Sequence, residues 1–133
     1  MRFLSIILSI CFVSGSDVRV MTYNLLNFSN DDNREMHYML ILESVLPDLI
    51  IVQEVVGQTG FTHFQSDVLD VFQSGQWSSA PFINQSAQQD IALFFKHDIF
   101  SFVSTGAVAT AQSSGTRDVI ECCLLYTSDA ADE

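Results

Sequence analysis

The chain has 133 residues, of which 48% are hydrophobic and 16% charged. That is enough for one small domain with a buried core, and it excludes a disordered tail. Sixteen acids against five bases give a net charge of −11. Such a surface repels nucleic acid at long range and excludes a general nucleic-acid coat protein, although a bound cation would invert the potential locally.

Residues 1–16 read as an export signal. Arg2 supplies the positive start, Phe3 to Val13 the apolar stretch, and Ser14, Gly15 and Ser16 small residues for cleavage. The stretch is too short to cross a hydrocarbon core of roughly 30 Å comfortably as a helix. A secreted or periplasmic protein with no stable membrane span is therefore expected. Cys11 follows Ile10 rather than a small residue, which argues against lipoprotein processing.

Val18 to Leu25 is rich in β-branched and aromatic residues and reads as a buried strand. Asn27 to Asn33 is a polar loop. Asp32 or Asn33 can cap a helix over Arg34 to Leu46, with Glu35 in its first turn and an apolar stripe of Met36, Met39, Leu40, Val45 and Leu46. Pro47 ends that helix. Leu49 to Val52 follows as a nearly continuous apolar strand, as expected of a parallel strand covered on both faces. The three elements make a βαβ unit with a right-handed crossover.

Gly57 and Gly60 break the chain after Glu54. Thr59 to Phe72 fits a second helix with Phe61, Phe64, Val68 and Phe72 at helical spacing, and Ser74 to Ser79 a turn. Five strands are then expected: Ala80–Asn84, Asp90–Lys96, Ile99–Ser104, Ala107–Ala111 and Arg117–Cys122, with a tight turn at His97-Asp98. The fold class is α/β, a two-sheet sandwich flanked by helices. Cys123 to Glu133 resembles translated transposon-adapter sequence. The expectation is a natural domain over 17–122 that continues past about Cys122, and a non-native tail over 123–133.

Two apolar runs end in oxygen-bearing side chains: Val18 onward closes at Asn24, and Leu49 onward closes at Glu54. Parallel strands joined by a helix set these two side by side at the carboxyl edge of a sheet. An amide oxygen and a carboxylate there suit a hard divalent cation such as Mg²⁺. A carboxylate after Leu49-Ile50-Ile51-Val52-Gln53 needs a partner, and a cation or an arginine serves equally well. His37, His63 and His97 are scattered, read as surface or helix-face residues, and do not converge as a zinc site requires. The chain has no phosphate-binding P-loop and no Gly-x-Ser-x-Gly.

Thr22-Tyr23-Asn24 followed by Pro47-Asp48-Leu49-Ile50-Ile51-Val52-Gln53-Glu54, in this order and spacing, resembles the endonuclease/exonuclease/phosphatase superfamily, the DNase I-like fold. Asp90 to Lys96 resembles a later strand of that family, and Gly115 to Ile120 a strand that carries an arginine near the scissile phosphate. The resemblance covers Val18 to Cys122. It implies the N-terminal portion of a monomeric hydrolase acting on a phosphoester, nucleic acid among the candidates, with Asn24 and Glu54 holding Mg²⁺ or Mn²⁺. Arg117 reads equally as a phosphate contact or as an ion-paired surface arginine. The family's Asp-x-Asn and Asp-His motifs do not follow Glu54 in this chain, so an inactive polypeptide is expected as it stands. The alternative is a secreted, non-catalytic binding module of the same fold.

Overall fold

The apolar run after Pro47 becomes the strand around which the fold is built. The computed structural model describes residues 17–30, 33–85, 89–110 and 116–127. In it β1 (Val20–Phe28) pairs in parallel with β2 (Leu49–Val55), and helix α1 (Glu35–Val45) connects them. After β2 come α2 (Gly57–His63), a π-helical stretch (Phe64–Leu69) and the short α3 (Asp70–Phe72). Then β3 (Trp77–Ser79) and β4 (Asp90–Lys96) complete a four-stranded sheet of order β1-β2-β4-β3, with β4 antiparallel to both neighbours. A second sheet is made by β5 (Phe100–Val108) and β6 (Val119–Tyr126), paired antiparallel.

The period of two along the central strands builds the layers. Ile50, Val52, Ala92 and Phe94 join the cluster on the helical side, with Leu42, Phe61, Phe64, Val68 and Leu69. The alternate residues Leu49, Ile51, Leu93 and Phe95 pack with Phe100 and Leu124 of the second sheet. Each large side chain enclosed this way contributes about 1.5–3 kcal/mol. The result is an open two-sheet sandwich with helices on one face, as the sequence predicts. Among the described residues no helix is long and apolar enough to cross a membrane.

Several boundaries differ from expectation, each for a local reason. Met36, Leu40, Val45 and Leu46 are exposed, and α1 instead buries Tyr38 and Leu42. The Tyr38 hydroxyl donates to Leu25 O at 2.9 Å, which fixes which face turns inward. The helix begins after Arg34 with no side-chain cap, so Asn33 does not cap it. The segment read as a turn contains β3, anchored by buried Trp77, whereas 80–84 is not a strand. Ala80 N–H still donates to Leu93 O at 3.0 Å, and Pro81, lacking an N–H, ends the ladder. The two strands expected over 99–111 are one, β5. β6 runs four residues past Cys122, with Cys123, Leu124, Leu125 and Tyr126 opposite Ser104, Phe102, Ser101 and Phe100. The expected export signal at 1–16, the capping candidate Asp32 and residues 128–133 of the suspected tail lie outside the described residues.

Candidate functional site

Strict alternation along β2 would aim position 54 at the same apolar core as Ile50 and Val52. A carboxylate enclosed there without a partner costs several kcal/mol. The chain avoids this with a bulge. Gln53 pairs with Ile91 and Val55 with Asp90, so Glu54 is an extra residue relative to β4. Its φ is +62°, and Val55 takes the buried place in its stead. β1 does the same. Asn24 pairs with Gln53 and Phe28 with Val55, leaving Leu25, Leu26 and Asn27 opposite Glu54 alone. Leu26 and Asn27 have φ of +53° and +57°, and Phe28 takes the inward place that alternation would give Asn27. Three non-glycine residues in the left-handed region at one sheet edge mark strain concentrated where polar groups must face out.

These bulges bring the expected pair together. Asn24 Nδ2 donates to Glu54 Oε1 at 2.9 Å, and Asn27 N–H donates to Glu54 Oε2 at 3.2 Å. Leu26 N–H donates to Asn24 Oδ1 at 2.8 Å, which orients the amide so that its nitrogen faces the carboxylate. Arg34 Nη2 donates to Leu26 O at 2.9 Å and pins the turn from outside. Asn24 is exposed and Glu54 half-buried, so the site meets solvent. Of the other residues in the motif, Gln53 Nε2 donates to Thr22 Oγ1 at 3.0 Å across the strands. Asp48 sits at the opposite end of β2, where it accepts from Arg19 N–H at 2.9 Å and from Lys96 Nζ at 3.2 Å, a structural tie.

Arg117 lies two residues before β6 rather than inside the strand expected to carry it. It reaches the pair indirectly. Its Nη2 donates to Gln89 Oε1 at 3.2 Å, and Gln89 Nε2 donates to Asn27 Oδ1. Asn27 and Gln89 link the pair to Arg117 and were not singled out in the sequence, where neither carries a motif. Beside Arg117 the carboxyl of Asp90 is buried, 1% exposed. Burial raises its pKa, while the Gln85 N–H at 3.1 Å and the Arg117 charge pull the other way. With its amide oriented to satisfy its neighbours, Asn84 donates to Asp90 Oδ2 at 3.0 Å.

His63, expected as a surface or helix-face residue, closes α2 and is partly buried and paired. Its Nε2 lies 2.7 Å from Glu35 Oε1 and its Nδ1 2.5 Å from Asp67 Oδ2, and its ring stacks on Phe28 at 5.3 Å. Where both carboxylates accept, each ring nitrogen donates, an arrangement that favours the protonated imidazole. Burial works against that charge, and the hydrogen bond to Glu35 with the charges of Asp67 and Glu35 outweighs it, so the pKa is raised from its ordinary 6.5. A raised histidine pKa stabilises the fold fully below the unfolded value, and the contribution is lost as pH rises through the folded value. The melting temperature is therefore expected to fall as pH rises from about 6.5 through the raised folded value, and His63→Gln to flatten that slope. An unchanged slope in the variant would contradict the pairing.

The donor set at the strand ends fits a hard cation. Glu54 spends one acceptor position on each oxygen and keeps others, and Asn24 Oδ1 keeps a lone pair. Among the described residues no three His, Cys, Asp or Glu side chains are grouped so that they could hold a metal ion. The pair of Asn24 and Glu54 does not by itself make a closed zinc or calcium cage. It is compatible with Mg²⁺, which retains several waters and takes one or two carboxylates plus substrate phosphate.

No protein-family model and no curated protein matches the chain. Solved structures do. ANGEL2, a 2',3'-cyclic phosphatase, in complex with adenosine-2',3'-vanadate, matches with a TM-score of 0.55 at 18% identity, over 84% of this chain and 38% of that one. Truncated Caenorhabditis elegans TDP2 matches with a TM-score of 0.53 at 20% identity, over 79% of this chain and 39% of that one. The chain has a DNase I-like fold. A second structure of ANGEL2 matches with a TM-score of 0.52 at 20% identity, over 80% of this chain and 36% of that one. The chain thus spans less than two-fifths of the length of these structures.

Proposed function

We propose that Asn24, Glu54, Asn27 and Arg117 form part of the active site of a divalent-metal-dependent phosphoester hydrolase, completed in a longer protein. The observation that carries this reading is the hydrogen-bonded meeting of Asn24 with Glu54 on paired bulges at the carboxyl edge of a DNase I-like sheet. That ANGEL2 is a 2',3'-cyclic phosphatase supports phosphate ester chemistry. Secretion, from the expected signal at 1–16, is part of the same proposal.

Glu54 would hold Mg²⁺ or Mn²⁺ directly, and Asn24 would hold Glu54. When bound, the cation polarises a phosphoryl oxygen and stabilises charge on the leaving oxygen. The chain's own residues do the rest of the positioning. Asn24 Nδ2 and Asn27 N–H fix the carboxylate, so it need not reorganise during the reaction. The Arg117 guanidinium offers a planar donor fork to a phosphate group. His63 is committed to Glu35 and Asp67 and does not serve as a base in this reading.

The test uses the longer protein that contains this chain and bis(p-nitrophenyl) phosphate as substrate. Turnover is expected, lost on EDTA treatment and restored by Mg²⁺ or Mn²⁺. No metal-dependent turnover from that protein on any phosphoester would favour the binding-module alternative.

A further inference from the structure

We propose that Gln89 is a positioning residue that ties Arg117 into the hydrogen-bond network of the Glu54 carboxylate through a neutral amide, so that one phosphate group can meet both the guanidinium and a cation at Glu54. The inference rests on the metal reading given above.

A primary amide is the group that can do both jobs at once, donating through nitrogen and accepting through oxygen. Gln89 Nε2 donates to Asn27 Oδ1, and its Oε1 accepts from Arg117 Nη2 at 3.2 Å. The backbone N–H of the same Asn27 donates to Glu54 Oε2 at 3.2 Å. Three hydrogen bonds therefore lead from the carboxylate to the guanidinium. They run from the end of β1, past the residue preceding β4, to the segment ahead of β6, and so join the two sheets.

The electrostatic consequence is specific. A direct pair between Glu54 and Arg117 would cancel the charges that a cation and a phosphate each need. An uncharged spacer keeps the two groups in one network without neutralising either. The Arg117 Nε is buried and has no hydrogen-bond partner among the described residues, so these do not use every donor of the guanidinium. Its carboxyl neighbour Asp90 is engaged by Gln85 N–H, and burial favours its neutral form.

The experiment titrates Mn²⁺ into the longer protein that contains this chain by electron paramagnetic resonance, with and without inorganic phosphate. Phosphate is expected to tighten Mn²⁺ binding about tenfold in the wild type, the size of one charge-assisted contact. Gln89→Ala and the near-isosteric Gln89→Met should keep the phosphate-free Mn²⁺ affinity within about twofold and lose most of the phosphate gain, as Arg117→Ala should. Gln89→Glu should lose it too, because the new carboxylate pairs with Arg117. A merely structural role would move the phosphate-free affinity and the circular-dichroism spectrum instead. A full phosphate gain in any folded Gln89 variant, or none in the wild type, overturns the proposal. Wild-type Mn²⁺ affinity in Glu54→Ala would instead remove the metal reading beneath it.

Discussion

Glu54→Ala in the longer protein is expected to lower metal-dependent turnover by about a thousandfold while the fold survives. Glu54 sits half-exposed on a bulge, outside both core clusters, so its loss opens no cavity. The hydrogen bonds it accepts come from Asn24 and Asn27, both exposed, and water can replace it there. Asn24→Ala removes the group that orients the carboxylate and should cost about 10- to 100-fold, the range for residues that steer a ligand rather than touch the metal. Comparing Glu54→Gly with Glu54→Ala separates chemistry from backbone. Both lack the carboxylate, yet only glycine adopts φ +62° without steric cost. The glycine variant should be the more stable by about 1 kcal/mol, a shift of a few degrees in melting temperature. Equal stabilities would show that the bulge is unstrained.

Gly60→Ala is expected to be the most damaging conservative change to stability. A Cβ at Gly60 would lie 2.6 Å from the carbonyl oxygen of Phe28, a backbone atom that cannot rotate away. The same oxygen accepts the Val56 N–H at 2.8 Å, which ties α2 to the end of β1. Either α2 lifts off the sheet or the end of β1 moves, and overpacking of this kind costs about 1–3 kcal/mol. Because Asn27 precedes Phe28, the displacement should also loosen the site and reduce Mn²⁺ affinity. Gly57→Ala is the control. Gly57 has φ +64° but open space around its Cβ position, so only the backbone cost of about 1 kcal/mol is expected. Thermal unfolding of both variants decides the matter, and a milder loss for Gly60→Ala would mean that α2 does not approach β1 this closely.

Much of this architecture was legible because short-range patterns and long-range packing agree. Asp90–Lys96 is a strand with the bounds its alternation gives, and Leu49 onward is the doubly covered strand its apolar run requires. Phe61, Phe64, Val68 and Phe72 turn inward as their spacing demands. The inward face of α1 was not legible. Its apolar residues surround the helix, and one hydrogen bond from Tyr38 to the Leu25 carbonyl selects among them. The meeting of Asn24 with Glu54 could be read from two strand ends and a crossover. The bulges that achieve it could not, because Leu26, Asn27 and Glu54 are residues that sequence alone does not place at positive φ. Asn27 and Gln89 were missed for a related reason. Each looks like an ordinary polar loop residue until the bulge and the β4 register bring them together.

A divalent cation is proposed to bind at the paired bulges. Fe²⁺, which accepts the same oxygen ligands, generates hydroxyl radicals with ascorbate and peroxide and cuts the backbone next to its site. Mass spectrometry of the treated chain is predicted to show cuts at Asn24 to Asn27 and at Gln53 to Val55, suppressed by excess Mg²⁺ and missing in Glu54→Ala. Cuts spread evenly along the chain, or an identical pattern in Glu54→Ala, would contradict the account.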